Sequence, residues 1–219
     1  MNADTELKTR VLEELAWDPT IEAKEIAVAA KDGVVTLLGR VRTYAEKVGA
    51  ERATQRVKGV RAVVQEIGVD LPPTHRVSDE EIATNALNVL RSNSYVPEER
   101  IRLTVQDGHL RLAGVVDWEF QRAEAENLLR MAHGVRGIDN QIVIKPRPSA
   151  LQEAVKEQIE AAFERSAELD ADQISVSAKD GVVELSGHVR TWHERDIAKR
   201  AAWSAPGVTE VVVDLHIKP

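Results

Sequence analysis

Hydrophobic and polar residues alternate with a period of two in several short runs along this chain, which is typical of half-buried β-strands. Three times, such a run stops at an Asp-Gly pair, and a second run begins immediately after it. An Asp-Gly pair between two alternating runs is a strong signal for a β-hairpin with a tight turn. The sequence therefore predicts three hairpins, with turns at Asp32-Gly33, Asp107-Gly108 and Asp180-Gly181.

Glycines at fixed distances from these turns indicate that the whole pattern is repeated. Six residues after each turn glycine comes another glycine, and a Gly-Val pair follows twenty residues later. From Gly39 to Gly114 the shift is 75 residues, and from Gly114 to Gly187 it is 73 residues. Fixed internal spacing of this kind is the signature of a repeated structural unit. The chain is therefore a tandem triplication.

A helix is predicted before and after each hairpin. In the helix before it, apolar residues recur at every fourth position, such as Leu7, Val11 and Leu15, as on the buried side of an amphipathic helix. The helix after it is expected to end at the glycine of the Gly-Val pair, because glycine suits the left-handed backbone past a helix C-terminus. These glycines are Gly59, Gly134 and Gly207.

Helix starts are predicted from capping boxes, in which Ser or Thr is followed three residues later by Glu or Gln. The second helix of the middle copy lacks such a box and offers Asp117 nearby instead. The predicted boxes are Thr43-x-x-Glu46, Ser78-x-x-Glu81, Ser149-x-x-Gln152 and Thr191-x-x-Glu194.

A third alternating run closes each copy, so each unit has the order α-β-β-α-β. We expect an α+β fold of three tandem αββαβ units, each a three-stranded mixed sheet with two helices on one face. Proline-containing segments at 70–78 and 145–149 join the units, because proline interrupts a strand. The predicted domains are residues 1–72, 73–146 and 147–219.

The repeated unit resembles the BON domain (bacterial OsmY and nodulation). The similarity covers nearly the whole chain and rests on DGVVTLLGRV and KGVRAVVQEIGVDL in the first copy, with DGHLRLAGVV and DGVVELSGHV in the others. The resemblance implies a non-enzymatic protein that contacts phospholipid or a membrane surface and is linked to osmotic and envelope stress. The family has also been labelled transport-associated, and one of its branches binds potassium. Many of its members are exported proteins.

Composition narrows the functional classes. The 29 basic and 36 acidic residues give a net charge of −7, whereas nucleic-acid-binding domains are normally basic, so no nucleic-acid partner is expected. The absence of cysteine excludes disulfides and thiolate metal sites. The first fifteen residues carry six charged side chains, and no stretch approaches ~18 apolar residues. We therefore expect a cytoplasmic protein that is at most peripheral to the inner membrane.

No motif for catalysis or cofactor binding is found in the sequence. The repeated glycines are not followed by the Lys-Ser/Thr of a phosphate-binding loop, and acids such as Asp139 and Asp214 form no acid–base pair. His188 and His193 come nearest to a zinc-ligand pair, but the other copies lack histidine at the matching positions. We expect no enzymatic activity, no cofactor and no metal.

The segment 40–61 carries an excess of positive charge. It holds seven basic residues against Glu46 and Glu51, whereas the matching segments of the other copies are near neutral. This segment predicts contact with anionic headgroups, and the alternative is a solvated helix surface held by i,i+4 ion pairs. The lipid-contact candidates are Arg40, Arg42, Lys47, Arg52, Arg56, Lys58 and Arg61.

The four tryptophans fall at predicted element ends and not within the alternating strands. They either fill gaps in the cores of the units or anchor an interface, where an indole keeps one wet edge. We expect the third copy to pack against another copy, within the chain or across a subunit boundary, through Trp192 or Trp203 or both. The interface candidates are Trp17, Trp118, Trp192 and Trp203.

Two hypotheses of function follow from the sequence. The first is a stress-related binding protein that contacts an anionic membrane surface through the basic segment. The second is a homo-oligomeric assembly or transport-associated module that binds a small ligand or ion, because each small repeated core gains stability from burying more surface.

Overall fold

The structure, a computed structural model, describes residues 3–146 and 154–218. Repeat one consists of α1 (Ala3–Trp17), β1 (Ile26–Lys31), β2 (Val34–Val41), α2 (Tyr44–Arg56) and β3 (Ala62–Val69). Repeat two consists of α3 (Asp79–Arg91), β4 (Ile101–Gln106), β5 (His109–Val116), α4 (Glu119–Arg130) and β6 (Gly137–Ile144). Repeat three consists of α5 (Val155–Glu164), β7 (Ile174–Lys179), β8 (Val182–Val189), α6 (Trp192–Trp203) and β9 (Glu210–Ile217).

Each repeat forms its own three-stranded sheet, with strand orders β1-β2-β3, β4-β5-β6 and β7-β8-β9. In repeats one and three, the hairpin strands pair antiparallel and the last strand pairs parallel to the middle one. The mixed sheet follows from the connections, because a tight turn joins antiparallel strands whereas a crossover helix is needed between parallel strands. The predicted α+β class is therefore confirmed. The boundaries at 72/73 and 146/147 stay a prediction.

The hairpin turns adopt the predicted geometry. Asp32 and Gly33 have φ angles of 50° and 81°, and the two matching pairs have nearly the same values. Positive φ at both central residues is the mark of a type I′ turn, which matches the twist of a hairpin. The Asp79 carboxylate at the start of α3 also accepts hydrogen bonds from the backbone N–H groups of Asp107 and Gly108, at 2.8 and 2.9 Å. The turn of repeat two is thereby fixed to its first helix.

The glycine six residues after each turn is required by a close backbone approach. Gly39 has a φ of 142°, and a Cβ built on it would collide with the carbonyl oxygen of Glu25. Glu25 ends a short 3₁₀ turn, Ala23–Glu25, which precedes β1. Gly114 and Gly187 meet the equivalent carbonyl oxygens in the other repeats. These glycines therefore serve strand packing and not ligand binding.

The helix ends differ from the prediction. The second helix of each repeat stops at Arg56, Arg130 or Trp203, three or four residues before the expected glycine. In repeat one a tight turn follows the helix, with Val60 N–H donating to the Val57 carbonyl at 3.2 Å. The glycine adopts its positive φ inside that turn, so it places the buried Val60 and does not cap the helix.

Of the predicted capping boxes in the described part of the chain, the box at Ser78 is complete, and those at Thr43 and Thr191 form only the half made by the threonine. Thr43 and Thr191 accept from the backbone N–H groups of Glu46 and Glu194, and Ser78 forms a complete box with Glu81. The predicted box Ser149-x-x-Gln152 lies outside the described residues.

Two side chains hold the start of the second helix in repeat two, where no capping box was predicted. The Asp117 carboxylate binds the Arg100 guanidinium at 3.1 Å, which raises the pKa of Arg100. Gln121 Oε1 accepts the backbone N–H groups of Asp117 and Trp118, at 3.1 Å each.

The core of each repeat lies between the helices and one face of the sheet. In repeat one, Leu7, Val11 and Leu15 of α1 are buried in the same cluster as Val35 and Leu37 of β2. Residues that alternate with these in the strands point to the opposite face, because successive side chains of a strand alternate. By their contacts, the described residues form two compact units. The first contains residues 3–93, 103–112 and 126–140, and the second contains residues 94–102, 113–125, 141–146 and 154–218.

Candidate functional site

The acidic residues of the basic segment 40–61 contribute little to its surface. The Glu46 side chain is only 8% exposed. Its carboxylate accepts hydrogen bonds from the backbone N–H groups of Glu22 and Arg42, at 2.8 and 2.9 Å. Glu51 is half-buried and accepts from the Gln55 side chain at 3.3 Å. Positive charge therefore dominates the exposed surface of this segment.

Arg56 and Arg40 of the lipid-contact candidates are held by acids of the same repeat. Arg56 binds Glu14 of α1 at 2.9 Å and Asp18 at 3.6 Å, and Arg40 binds Asp70 at 3.6 Å. Arg56 therefore connects the end of α2 to the end of α1. Its contribution to a positive surface is smaller than the sequence indicates.

The candidates are spread along the repeat instead of forming one compact patch. Strand β2 is eight residues long, which is about 23 Å at ~3.3 Å per residue. Arg40 and Arg42 lie at its far end, whereas the Arg61 backbone N–H donates to the Gly33 carbonyl at the hairpin turn. The helix α2 runs back between these ends and carries Lys47, Arg52 and Arg56. Arg42, Arg52, Lys58 and Arg61 are all exposed, while Lys47 is half-buried.

Two titratable groups beside this segment have shifted pKa values. The Thr20 hydroxyl and backbone N–H donate to the Asp18 carboxylate at 2.6 and 3.1 Å, which lowers the pKa of Asp18, and Arg56 lowers it further. Burial raises the pKa of the Tyr44 hydroxyl at the start of α2, and the Glu126 carboxylate of repeat two raises it further. The first residue of α2 is therefore packed inside the first compact unit.

The structure places the four tryptophans in different environments. Trp17 is 85% exposed at the end of α1, and Trp118 is exposed just before α4. The Arg195 guanidinium lies 5.0 Å from the ring centre of Trp192. Trp203 is only 8% exposed, and Arg122 of repeat two lies 5.3 Å from its ring centre. Trp203 thus joins repeat three to α4 within the second compact unit.

Sequence reasoning missed a small aromatic patch on repeat two. Tyr95 and Phe120 are exposed and meet edge to face, with ring centres 6.3 Å apart, near the start of α4. At the matching positions, repeat one has Thr20 and Ala45. Repeat three has Glu168 and His193, which form a 2.8 Å hydrogen bond. Comparison of the three copies at these positions would have revealed the pair.

The histidines of repeat three do not assemble a metal site. His193 binds Glu168, and the His188 ring lies 6.1 Å from that of His216. Among residues 3–146 and 154–218, no three histidine or carboxylate side chains are grouped to hold a metal ion.

A polar pocket of about 370 Å³ lies near these histidines. Arg190 at its edge binds Asp170 at 3.8 Å and Glu194 at 3.7 Å. The charges are balanced within the pocket, which gives no preference for a charged small ligand. Its charged and polar lining residues are Asp170, Gln173, His188, Arg190, Glu194 and Lys218.

None of the helices in the described ranges combines the length and the apolar character needed to cross a bilayer.

Comparison with solved structures gives weak overall likeness. Two structures of CdsD, a structural protein of the type III secretion system of Chlamydia trachomatis, align with TM-scores of 0.28 each. The first is 17% identical and aligns over 98% of this chain and 93% of its own. The second, the C-terminal domain, is 16% identical and aligns over 97% of this chain and 98% of its own. These scores are too low to support an inference about this chain.

Comparison of sequences is more informative. Osmotically-inducible protein Y of Escherichia coli (strain K12) is 25% identical over 146 residues, which are 65% of this chain and 73% of that protein. The model of the BON domain family matches three times, at residues 3–70, 78–146 and 152–219, and together these matches account for nearly the whole chain. The chain therefore belongs to the BON domain family, with three copies of the domain in tandem.

Proposed function

We propose that this chain is a non-enzymatic binding protein of the osmotic stress response that makes peripheral contact with anionic phospholipid. The stress role is supported by the family and by the similarity to Osmotically-inducible protein Y. The contact with lipid is supported by one observation above all. The segment 40–61 exposes its basic side chains while Glu46 is turned inward to bind backbone N–H groups.

The expected attraction is modest and depends on orientation. A basic residue close to an anionic membrane contributes about 1 kcal/mol, and the effect falls off within a Debye length. The net charge of −7 opposes approach, so repeat one has to face the lipid. The proposed contact uses Arg52 on α2 and Lys58 just after it, because both side chains are exposed.

The test compares two double charge reversals in vesicle co-sedimentation. Arg52→Glu/Lys58→Glu alters the segment, and Lys199→Glu/Arg200→Glu makes the same charge change on α6 of repeat three. Both pairs are exposed, so the folds are preserved. Arg195 is a poor control, because it lies over the Trp192 ring. Wild-type protein should bind vesicles that contain phosphatidylglycerol and not vesicles of phosphatidylcholine alone.

The repeat-one variant should lose at least about tenfold in vesicle affinity, whereas the repeat-three variant should bind like wild type. Equal losses in both variants would mean that net charge controls binding, and binding that survives high salt would mean that the contact is not electrostatic. Either result would reject the proposed contact.

The stress role and the location have a separate test in the host cell. Immunoblotting before and after hyperosmotic shock should show a rise in the level of the protein. Fractionation of the same cells then tests the expectation of a cytoplasmic, membrane-peripheral protein. An unchanged level after shock would reject the role in osmotic stress.

A further inference from the structure

The sheet of repeat one leaves an apolar face uncovered. We call this face, opposite the helices, the open face of repeat one. Its exposed apolar residues come from all three strands, and Val34, Leu38 and Val64 are each about 40% exposed. The strand register places Leu38 between Ala27 and Glu66, and Val34 between Lys31 and Ala62. The exposed apolar residues are Ala27, Ala29, Val34, Leu38, Ala62 and Val64.

The same positions of repeat three show that the fold does not require this apolar character. Both sheets have the same strand order and register. In repeat three, only Val182 and Val212 of the six matching residues are apolar. The six are Ser175, Ser177, Val182, Ser186, Glu210 and Val212. An apolar surface that a sister domain does without is typical of an interaction site.

The charges at the two ends of β1 indicate which partner covers the open face of repeat one. Lys31 ends the strand at the hairpin turn, Glu25 lies just before its first residue, and both are exposed. Between them, Ala27 and Ala29 occupy the open face. When two such faces stack with their strands antiparallel, Glu25 of each copy lies above Lys31 of the other. Because the acid and the base lie at opposite ends of β1, the charges of two antiparallel copies are complementary.

We propose that the open face of repeat one is the interface of a homodimer, in which two copies stack face to face with antiparallel strands. Aligned sheets pack about 10 Å apart, so Leu38 and Val64 interdigitate with the second copy. The two-fold axis produces two Glu25–Lys31 pairs. Arg40 remains bound to Asp70 at the end of the face. Glu66 lies on the outer strand β3, from which its carboxylate reaches water at the rim.

The size of the face makes this a weak dimer. Three strands about 4.8 Å apart, β1 with six residues and β2 and β3 with eight, present roughly 15 by 25 Å. This footprint is well below the ~800 Å² per partner of a standard interface. The dissociation constant is expected to be on the order of 100 µM. The proposal is independent of the contact with lipid.

The experiment is sedimentation velocity of the full chain over a concentration series, from about 5 µM to about 1 mM. Val64→Glu should abolish the dimer, because each new carboxylate would lie opposite Glu66 of the other copy and be repelled by it. Val212→Glu is the matched control, since Val212 is 39% and Val64 is 41% exposed at the same position of their repeats. It should leave the dimer unchanged.

A charge exchange tests the orientation of the two copies. Lys31→Glu and Glu25→Lys should each weaken dimerisation by about tenfold, because each turns both rim pairs into repulsions. The double variant should restore it. Circular dichroism confirms that each variant is folded, and all four positions are exposed, so no core contact is lost.

Four results would overturn the proposal. Wild-type protein that stays monomeric up to 1 mM has no such dimer. Equal effects of Val64→Glu and Val212→Glu would place the contact elsewhere. A monomer whose binding to phosphatidylglycerol vesicles is lost in Val64→Glu would show that lipid, and not a second copy, covers the face. Failure of the double variant to restore association would reject the antiparallel arrangement.

Discussion

Trp203 provides a quantitative test of the contact between repeats two and three. Its indole is 92% buried at the end of α6, with the Arg122 guanidinium 5.3 Å from the ring centre. Its Nε1 is buried, and among the described residues it has no hydrogen-bond partner. The side chain therefore combines a large stabilising contact with one unfavourable polar group.

The two contributions can be separated by two substitutions. Truncation of a buried tryptophan to alanine costs about 3–5 kcal/mol, and loss of the cation–π contact adds about 0.5–2 kcal/mol. Removal of a buried N–H that has no hydrogen-bond partner raises the free energy of unfolding by about 1–3 kcal/mol, which offsets part of this loss. Trp203→Ala should therefore lower the free energy of unfolding by about 3 kcal/mol. Trp203→Phe keeps most of the ring and removes the N–H, so it should stay within about 1 kcal/mol of wild type.

Urea denaturation followed by far-ultraviolet circular dichroism measures these differences. Three domains can unfold in separate transitions, so the midpoint of the transition that moves is compared between variants. Trp17→Ala is the control, because an indole that is 85% exposed should change stability by less than about 0.5 kcal/mol. If Trp203→Phe destabilised the protein as much as Trp203→Ala, the unpaired N–H would not be a cost. If Trp17→Ala matched Trp203→Ala, burial would not be the cause.

Three further predictions concern repeat one. Glu46→Ala leaves the N–H groups of Glu22 and Arg42 without their acceptor, so it should lower the free energy of unfolding in urea by about 2–4 kcal/mol. Glu46→Gln introduces the glutamine found at the matching position of repeat two, so it should lower this free energy by only about 1 kcal/mol. Gly39→Ala should cost more than about 3 kcal/mol, because its Cβ would collide with a backbone carbonyl. Gly68→Ala should be tolerated in thermal denaturation, because its Cβ would make only an ordinary contact with the Gly39 carbonyl oxygen. The pKa of Asp18 is lowered by Thr20, so its stabilising contribution is present above the unfolded-state pKa of about 4 and is lost as the pH falls. Thr20→Val should raise this pKa in an NMR titration, and an unchanged value would contradict the assignment.

The local features of the fold were predictable because their causes are local. Asp-Gly between alternating runs specifies a type I′ turn through two adjacent residues, and the boxes at Thr43 and Ser78 act over three residues. The helix ends were not predictable in the same way. The glycine after α2 is needed by a turn that delivers Val60 to the core, and the sequence does not distinguish this use from a helix cap.

The candidate site was predicted less well, because adjacency in sequence is not adjacency in space. Arg42 and Lys58 belong to the same basic segment of the sequence. They nevertheless lie at opposite ends of the repeat, because α2 runs in the direction opposite to β2. The ion pair between Arg56 and Glu14 spans 42 residues. The Tyr95–Phe120 pair likewise spans 25 residues, and it depends on a loop that meets the first turn of α4 only in the folded repeat.

The triplication itself separates what folding requires from what is free to vary. Turn glycines, strand glycines and apolar stripes are common to all copies because each repeat needs them to fold. The pair of positions occupied by Tyr95 and Phe120 in repeat two holds a hydrogen-bonded acid and histidine in repeat three, and the fold is the same. The open face is apolar in repeat one and polar in repeat three. Surface positions that differ in this way are not constrained by folding, so binding specificity in this chain is to be sought in them, one repeat at a time.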